Sequence, residues 1–489
     1  MYDEYAESGK LANYLQQLGG YLDSYLEFDH PDAMENEAQW REVLNQKIPE
    51  KGVGIDQVIT ELGQTVIPNG SQIPRPGCTS FITTGASTIG VLAGLASSVS
   101  APQRIGIHAF NLLEEISLTW LTDLFGLNPE MKGVYCSGGS VANLLALGAA
   151  RQWAFEKRGI DPAENGVTLP CRLYATDVSH RTIHRAAAVL GLGRNAVVSI
   201  ATDAQGRMKP EALEQQLKED KENNAVPVAI VATAGITSTG AIDLLAPLAK
   251  IARANDIWFH VDGAYGLPGI LDPHVEAQYQ GLEYADSVIV DPHKWLGAPV
   301  GIGTTFIRDR SLLNRAFAQG ESDYLEGSCI EDDIQNSMDS MGIPYHDFGV
   351  ELSSPSRGAV VWALIREIGI EGMRERVCRH NAMARQVAKR AEAHPQLEVL
   401  QEPTLSICCF RYVSDRWQDQ DKLNRMIHRQ LVHNGQNIPS TAIVNGQLAI
   451  RPCFIGARTG WHLADDLVDE VISIGQQFDK AYMEKSHQP

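Results

Sequence analysis

Two side chains of opposite charge follow apolar, strand-like runs in this sequence. Lys294 comes shortly after the β-branched run Ser287–Val290, and Asp262 ends the run that begins at Ile257. Burial at the end of a core strand disfavours the charged form of a lysine and favours its neutral, nucleophilic amine. Such an amine forms a Schiff base with an aldehyde, although an isolated strand-end lysine more often reaches solvent. Lys294 is therefore a candidate for covalent catalysis.

The acid and the lysine together indicate which kind of cofactor site this could be. The carboxyl ends of parallel strands meet at one edge of an α/β sheet, which is where such sheets bind ligands. A pyridoxal 5'-phosphate site needs a carboxylate that keeps the pyridine nitrogen protonated and a lysine that holds the aldehyde. We therefore predict a pyridoxal phosphate site with Asp262 at the ring nitrogen and Lys294 at the aldehyde.

A third stretch is suited to bind the cofactor phosphate. The short strand Val134–Cys136 is followed by the glycine turn Ser137–Ser140 and then by a helical pattern from Val141. Backbone N–H groups and the positive end of the helix dipole converge at such a turn. The turn alone is weak evidence for phosphate binding, and the lysine and the acid strengthen it.

The segments HVDGAYG, from His260, and DPHKWLG, from Asp291, resemble those of the group II pyridoxal-phosphate-dependent amino-acid decarboxylases. The similarity extends from about Ile73 to the last helix and is best to the bacterial aromatic-L-amino-acid decarboxylases. The resemblance implies fold type I, the pyridoxal-phosphate-dependent transferase fold. It also implies a homodimer with the active site at the subunit interface, in which the N-terminal segment clasps the other subunit.

The resemblance further implies roles for individual residues. His180 would stack on the pyridine ring, and we favour it over His184. Thr237 would lie beside the cofactor, with Thr233 as the alternative. The other residues implied to bind the cofactor are Gly139, Ser140, Asn143, Asp291 and His293.

Substrate-binding residues are expected in two regions. By resemblance, the loop from Ile73 to Gly85, with Thr79 and Phe81, lines the substrate pocket. Arg451 lies within an apolar strand-like run and could pair with a carboxylate. It either binds a substrate carboxylate, as an arginine does in the glutamate branch of the family, or forms a structural salt bridge.

The stretch Arg315–Pro344 has no regular periodicity, which is typical of a functional loop. The family has a flexible loop here, with a tyrosine that protonates the carbon left by decarboxylation. Tyr345 is our candidate for this tyrosine and Tyr324 is the alternative. The competing interpretation is that Tyr345 only anchors the loop. Aldehyde-forming relatives carry phenylalanine instead, so a tyrosine favours simple decarboxylation.

The composition limits the partners. With 489 residues, 44% of them hydrophobic and 21% charged, the chain is expected to be globular with two or three domains. A net charge of −19 without clustered Lys and Arg argues against nucleic-acid or membrane binding. The sequence shows no secretory signal and no membrane-spanning run, so a cytoplasmic location is expected.

The cysteines and histidines show no spacing typical of a disulfide framework or a metal site. The chain has eight cysteines but no C-x-x-C pair, and its histidines form no H-E-x-x-H motif. We therefore expect neither kind of site.

The elements that position these residues alternate between strand and helix patterns, which predicts an α/β fold with a mostly parallel sheet. The resemblance implies seven strands, and the sequence shows strand-like runs at 134–136, 172–175, 196–201, 226–233, 257–262 and 287–290. An Asn445-Gly446 hairpin and a last amphipathic helix predict a smaller α+β domain. We assign residues 1–72 to an N-terminal helical arm, 73–371 to a large cofactor-binding domain and 372–489 to the small domain.

These observations predict a pyridoxal-phosphate-dependent carboxy-lyase. It would convert an L-amino acid, with an aromatic one favoured, to the amine and CO₂ through a Schiff base at Lys294. The predicted catalytic residues are Lys294, Asp262, His180 and Tyr345. Two alternatives stay open: an aldehyde-forming carbon–carbon lyase or oxidative deaminase of the same fold, and a non-catalytic protein of this fold, which would be expected to lack the lysine.

Overall fold

A computed structural model describes residues 10–30, 33–102, 104, 108–318 and 343–486 of the chain. Most of the predicted catalytic loop, including Tyr324, lies outside these ranges. The chain divides into two compact units between Cys78 and Thr79.

The N-terminal unit is helical. It contains α1 (Leu11–Leu26), α2 (Glu37–Leu44) and α3 (Ile55–Glu61), and α3 continues into one π-helical turn, Leu62–Val66. The apolar stripe from Leu11 to Phe28 predicts α1, and the pattern from Ile55 to Val66 predicts α3 with its π-helical turn. α2 lies in a stretch whose acidic composition is typical of a linker. No residue of α1 is buried: Leu11 and Leu22 are exposed, and the other apolar residues of the stripe are half-buried.

The larger unit is built on a seven-stranded sheet with the strand order β2-β8-β7-β6-β5-β3-β4. Strand β1 (Cys78–Thr79) precedes these strands in the chain and belongs to a second sheet. β8 is antiparallel to both of its neighbours, and the other adjacent pairs are parallel. The predicted mostly parallel sheet is confirmed. Its strands are β2 (Lys132–Cys136), β3 (Cys171–Thr176), β4 (Val197–Ile200), β5 (Val226–Thr233), β6 (Trp258–Asp262), β7 (Ser287–Val290) and β8 (Gly303–Ile307).

Helices connect and cover these strands. α6 begins directly after β2, and α8 follows β3, so both helices start at the sheet edge where the predicted site residues lie. The helices are α4 (Thr88–Ser100), α5 (Ala109–Leu124), α6 (Gly139–Glu156), α7 (Pro162–Asn165), α8 (Thr182–Val189), α9 (Pro210–Glu222), α10 (Leu245–Asn255) and α11 (Ser311–Phe317).

The long helix α12 (Arg357–Glu392) leads from the large sheet to the second one. Gly369 interrupts it with a positive φ of 65°, so the chain kinks there. The remaining elements are β9 (Leu397–Gln401), β10 (Cys409–Tyr412), α13 (Gln420–Asn434), β11 (Ile438–Val444), β12 (Gln447–Arg451) and α14 (His462–Ser486).

The second sheet has the order β1-β11-β12-β10-β9, and its pairs β11–β12, β12–β10 and β10–β9 are antiparallel. Asn445 and Gly446 have positive φ values of 48° and 80°, as a two-residue hairpin turn between β11 and β12 requires. The predicted hairpin is therefore confirmed.

Burial is most complete in the centre of the large sheet. Every residue of β6 and β7 is buried, and these are the strands that end at Asp262 and just before Lys294. Trp295 and Leu296, which follow the lysine, are also fully buried. The backbone at both charged residues is thus held by a dense core.

Candidate active site

A cavity of about 320 Å³ opens at the carboxyl ends of the central strands. All nine residues predicted to bind the cofactor line it, although they come from five separate stretches of the chain. They are Gly139, Ser140, Asn143, His180, Thr237, Asp262, Asp291, His293 and Lys294.

Lys294 is held next to an acid. After β7 the chain turns, and the N–H of Lys294 donates to the carbonyl of Asp291 at 2.9 Å. This turn brings Lys294 Nζ to 3.0 Å from Asp291 Oδ2. The Asp291 carboxylate is 2% exposed and the lysine side chain 20% exposed, so the amine faces the cavity while its counter-ion is buried.

Asp262 ends β6 and lies in register with Thr233 of β5 and Ile289 of β7. Its Oδ1 accepts the backbone N–H of Ala264 at 3.1 Å, and its Oδ2 accepts the side-chain N–H of Asn143 at 3.0 Å. Two donors therefore fix the plane of the carboxylate. Each carboxylate oxygen accepts more than one hydrogen bond, so the group can take a further N–H from a ligand.

His180 lies between β3 and α8, with Nδ1 2.9 Å from Thr182 Oγ1. Burial lowers the pKa of His180, and the positive charge of Lys294 lowers it further, while the carboxylate of Asp262 opposes these effects. The imidazole is therefore neutral near neutral pH. A neutral, flat ring at the cavity wall is suited to stack on an aromatic ligand.

The glycine turn before α6 leaves room for a ligand at the helix N-terminus. Gly138 has a positive φ of 133°, and no side chain caps the helix. A Cβ on Gly139 would lie 2.7 Å from Asp291 Oδ2, and one on Gly138 would lie 3.0 Å from His293 Cε1. Side chains are thus excluded at both positions, and the first N–H groups of α6 stay available to an anion.

The residues around the cavity fit pyridoxal phosphate. Thr233 Oγ1 and Asp291 Oδ1 are buried and have no hydrogen-bond partner within the described part of the chain. A bound ligand with donors and acceptors would satisfy such atoms. The cavity also combines an amine, a fixed carboxylate and an uncapped helix N-terminus, which suit the aldehyde, the ring nitrogen and the phosphate of this cofactor.

The structure does not bring Tyr345 to the cavity. Its ring is fully buried, and its hydroxyl donates to the carboxylate of Glu115. Arg104 and Arg310 lie over the ring at 5.6 and 5.7 Å from its centroid. Burial raises the pKa of Tyr345, and the carboxylate of Glu115 raises it further. The donor role of Tyr345 stays a prediction, and in this arrangement the residue anchors its segment.

The three predicted substrate-binding residues also lie off the cavity wall. The guanidinium of Arg451 donates to the carbonyls of Ser80 at 3.1 Å and Thr237 at 2.5 Å. The described residues offer Arg451 no ion-pair partner, so its guanidinium ties the Thr237 turn to Ser80 instead of forming a structural salt bridge. Its role at a substrate carboxylate stays a prediction. Thr79 is buried and its carbonyl accepts the N–H of Cys453, whereas Phe81 is exposed.

Sequence reasoning missed several residues of the site. Tyr265 lines the cavity, stacks on Trp295 at 5.2 Å and shares a hydrogen bond with Ser406 Oγ. It belongs to the HVDGAYG segment, so the motif contained a signal that we did not use. Thr182 also lines the cavity and bridges His180 to Asn143.

The described residues show neither a candidate membrane span nor a candidate metal site. None of their helices is long and apolar enough to cross a membrane. They contain no group of three or more His, Cys, Asp or Glu side chains that could hold a metal ion.

The fold and the cavity define a fold-type I pyridoxal-phosphate-dependent enzyme. Residues 38–413 match the pyridoxal-dependent decarboxylase conserved domain. The chain is 30% identical over 425 residues to the aromatic-L-amino-acid decarboxylase of Bacillus atrophaeus, with 86% of this chain and 85% of the relative covered. It is 28% identical to the L-2,4-diaminobutyrate decarboxylase of Rhizobium meliloti, with 87% and 83% covered.

Solved structures share the fold. A structure of Oryza sativa TDC with PLP and tryptamine superimposes with a TM-score of 0.87 at 21% identity, covering 98% of this chain and 100% of that one. The chain belongs to the pyridoxal-dependent decarboxylase family. It is a pyridoxal-phosphate-dependent amino-acid decarboxylase, so the predicted fold class, cofactor and carboxy-lyase activity are confirmed.

Proposed function

We propose that this decarboxylase acts on an aromatic L-amino acid and releases the corresponding amine and CO₂. The observation that carries the proposal is the cavity that Lys294, Asp262 and His180 share. The wall of this cavity also includes the apolar groups of Val141, Tyr265 and Val300, which suit an aromatic side chain. The similarity to an aromatic-amino-acid decarboxylase supports the same substrate class.

Asp262 has the task of holding a proton at the ring nitrogen of the cofactor. When bound, pyridoxal phosphate supplies an electron sink that takes up the electron pair of the bond that breaks as CO₂ leaves. The N–H groups of Asn143 and Ala264 keep the Asp262 carboxylate in one orientation, so it is preorganised to accept an N–H.

Lys294 binds the aldehyde group of the cofactor and must first lose a proton. Asp291 Oδ2, at 3.0 Å from Nζ, is a proton acceptor in direct contact with it. We propose that Asp291 takes this proton and thereby frees the lone pair of the amine. Because Asp291 is buried, water does not compete with the lysine for its carboxylate.

The remaining residues of the cavity bind and orient. Gly139 and Ser140 offer their backbone N–H groups to the cofactor phosphate at the start of α6. The neutral imidazole of His180 covers one face of the ring, and Thr237 and His293 complete the cofactor site. Tyr345 stays our predicted proton donor for the carbon that has lost CO₂.

A panel of amino acids tests the substrate class. Each of tryptophan, tyrosine, phenylalanine, 2,4-diaminobutyrate and glutamate, labelled with ¹³C in the α-carboxylate, is incubated with the holoenzyme. Labelled CO₂ and the amine are then measured by mass spectrometry. We expect turnover of at least one aromatic amino acid with kcat/KM well above that of the charged ones. If only the charged amino acids react, the aromatic assignment is wrong, although the decarboxylase stands.

We further propose that the enzyme is a homodimer with its active site at the subunit interface. Val300 lines the cavity and yet is 75% exposed in the single chain. The Ser87 N–H at the start of α4 donates to the Gly297 carbonyl, so α4 adjoins the turn after Lys294, and its Val91, Leu92 and Val99 are exposed. A second copy that covers this apolar surface would also close the cavity.

The predicted domain organisation is part of the same proposal. The arm 1–72 would clasp the second subunit, and the exposed Leu11 and Leu22 of α1, a helix without a buried residue, support this role. The large domain 73–371 would carry the cofactor, and the small domain 372–489 would follow the kink at Gly369.

We propose a cytoplasmic location, because the buried cysteines Cys136 and Cys408 are free thiols, as expected in a reducing compartment.

A further inference from the structure

A line of buried hydrogen bonds runs behind the cofactor site. Trp258, His260 and Asp262 alternate along β6, so their side chains point to the same face of the sheet. Trp258 Nε1 lies 2.8 Å from Ser287 Oγ, and Ser287 Oγ lies 2.8 Å from His260 Nδ1. His260 Nε2 lies 2.9 Å from Asn143 Oδ1. The line thus reaches Asn143, which contacts Asp262.

The orientation of the Asn143 amide follows from its partners. An ionised carboxylate accepts hydrogen bonds and donates none, so Asn143 must present an N–H to Asp262 Oδ2. The second N–H of the same nitrogen points to Thr182 Oγ1 at 3.0 Å. The amide oxygen is then left facing His260 Nε2, which must donate to it.

This requirement fixes the tautomer of His260. The ring is completely buried, and burial lowers its pKa to about 4, so the imidazole is neutral and carries a single N–H. Because Nε2 donates to Asn143, Nδ1 accepts, and its donor is the hydroxyl of Ser287. That hydroxyl oxygen in turn accepts the N–H of Trp258, which can only donate. Every donor in the line therefore points toward Asn143.

The line continues to His180 through Thr182. Thr182 Oγ1 accepts an N–H from Asn143, so its own hydrogen is available for His180 Nδ1 at 2.9 Å. The backbone N–H of Thr182 also points to this nitrogen. With two donors at Nδ1, the single proton of the neutral His180 ring resides on Nε2.

We propose that His260 is a positioning residue of this decarboxylase. It fixes the Asn143 amide, and through that amide it aims Asp262 at the ring nitrogen and sets which nitrogen of His180 carries the proton. The proposal rests on the role proposed above for Asp262. A buried histidine that only filled space in the core would not require all four side chains of this line to donate their hydrogen bonds in the same direction, toward the site.

The test compares pyridoxal phosphate with its 1-deaza analogue, in which C–H replaces the ring nitrogen. The dissociation constants of both are measured by equilibrium dialysis for the wild type and for His260→Phe, which keeps a flat ring without donors. We expect His260→Phe to reduce the preference for pyridoxal phosphate about tenfold, because one hydrogen bond at the ring nitrogen is weakened. Binding of the analogue should stay unchanged.

Three variants separate positioning from folding. His260→Gln places an amide N–H near the original Nε2 and should restore most of the preference. Tyr135→Phe removes a different buried hydrogen bond, the one to Ser117 at 2.9 Å, and should lower the melting temperature only. Asp262→Asn should abolish the preference. If Asp262→Asn abolishes the preference and His260→Phe leaves it intact, only the proposal for His260 is overturned. An unchanged preference in Asp262→Asn overturns the role of Asp262 itself.

Ser287→Ala covers the case in which His260→Phe does not fold. It keeps the His260 ring and removes only the hydroxyl that donates to Nδ1, so a smaller loss of preference in the same direction is expected. An unchanged preference in folded Ser287→Ala overturns the proposal. Equal weakening of both ligands in His260→Phe, or a loss of preference in Tyr135→Phe, also overturns it, because either result indicates general loosening.

Discussion

Lys294 contacts a buried acid at the wall of the cavity. Its side chain is 20% exposed, and its Nζ lies 3.0 Å from Oδ2 of Asp291, whose side chain is 2% exposed. This contact supports the proposed role of Asp291 as the proton acceptor for the amine of Lys294.

Tyr345→Phe tests the predicted proton donor. If Tyr345 protonates the carbon after CO₂ leaves, the variant still releases CO₂ but forms an aldehyde with uptake of dioxygen in place of part of the amine. Both products are quantified by mass spectrometry. The variant should also lose about 1.5–3 kcal/mol of unfolding free energy, because the buried hydroxyl no longer donates to Glu115.

An unchanged ratio of amine to aldehyde, together with this loss of stability, would mean that Tyr345 only anchors its segment. Tyr135→Phe is a suitable control, since it removes a buried tyrosine hydroxyl that bonds to Ser117 and lies outside the cavity.

At the residue level the sequence was informative where the partners are close in the chain or follow a strand. Lys294 and Asp291 are three residues apart in one turn, and Asp262 ends an apolar run, so both acids could be found. His260 and Asn143 are 117 residues apart, and their contact arises only from the packing of α6 on β6. No spacing in the sequence predicts such a contact.

Among the elements, the turn after β5 depends on a buried acid. Asp243 accepts the N–H groups of Met208 and Thr233 at 2.7 Å each, and Thr233 ends the strand at the cavity. Burial raises the pKa of Asp243 from 3.8 to about 6. The folded protein therefore binds this proton more tightly than the unfolded chain does, and the corresponding stability is lost as the pH rises from about 4 through 6.

Asp243→Asn removes this titration. The unfolding free energy of the variant minus that of the wild type should rise by about 3 kcal/mol between about pH 4 and pH 7, because only the wild type loses stability there. Urea unfolding across this range measures the difference. A flat difference would show that Asp243 titrates normally, and a falling one that its pKa is lowered. Asp256→Asn, at an exposed acid, serves as the control.

The sequence predicted the bounds of the parallel strands better than those of the antiparallel strand β8. β5 and β7 have the predicted bounds, because apolar runs mark them clearly. β8 was missed, since Gly303–Ile307 is short, rich in threonine and buried at every residue, which leaves no alternation to read.

For the whole molecule, the dimer proposal makes a prediction about mass. Leu92→Asp puts a charge in the exposed apolar surface of α4, and an unpaired charge in an interface costs several kcal/mol. We expect the wild type at twice 53.5 kDa in sedimentation and the variant at 53.5 kDa with little activity.

Val189→Asp, at an exposed apolar residue at the end of α8, should leave both mass and activity unchanged. A wild type that sediments at 53.5 kDa would refute the dimer, and a dimeric Leu92→Asp would place the interface elsewhere.

The most direct measurement of the central claim locates the cofactor on the chain. The holoenzyme is reduced with borohydride, which fixes the cofactor to the amine that carries it, and is then digested and mapped by mass spectrometry. We predict that the label is found on Lys294 alone and that Lys294→Ala takes up none. A label on another lysine, or on Lys294→Ala, would contradict the assignment of this cavity as the active site.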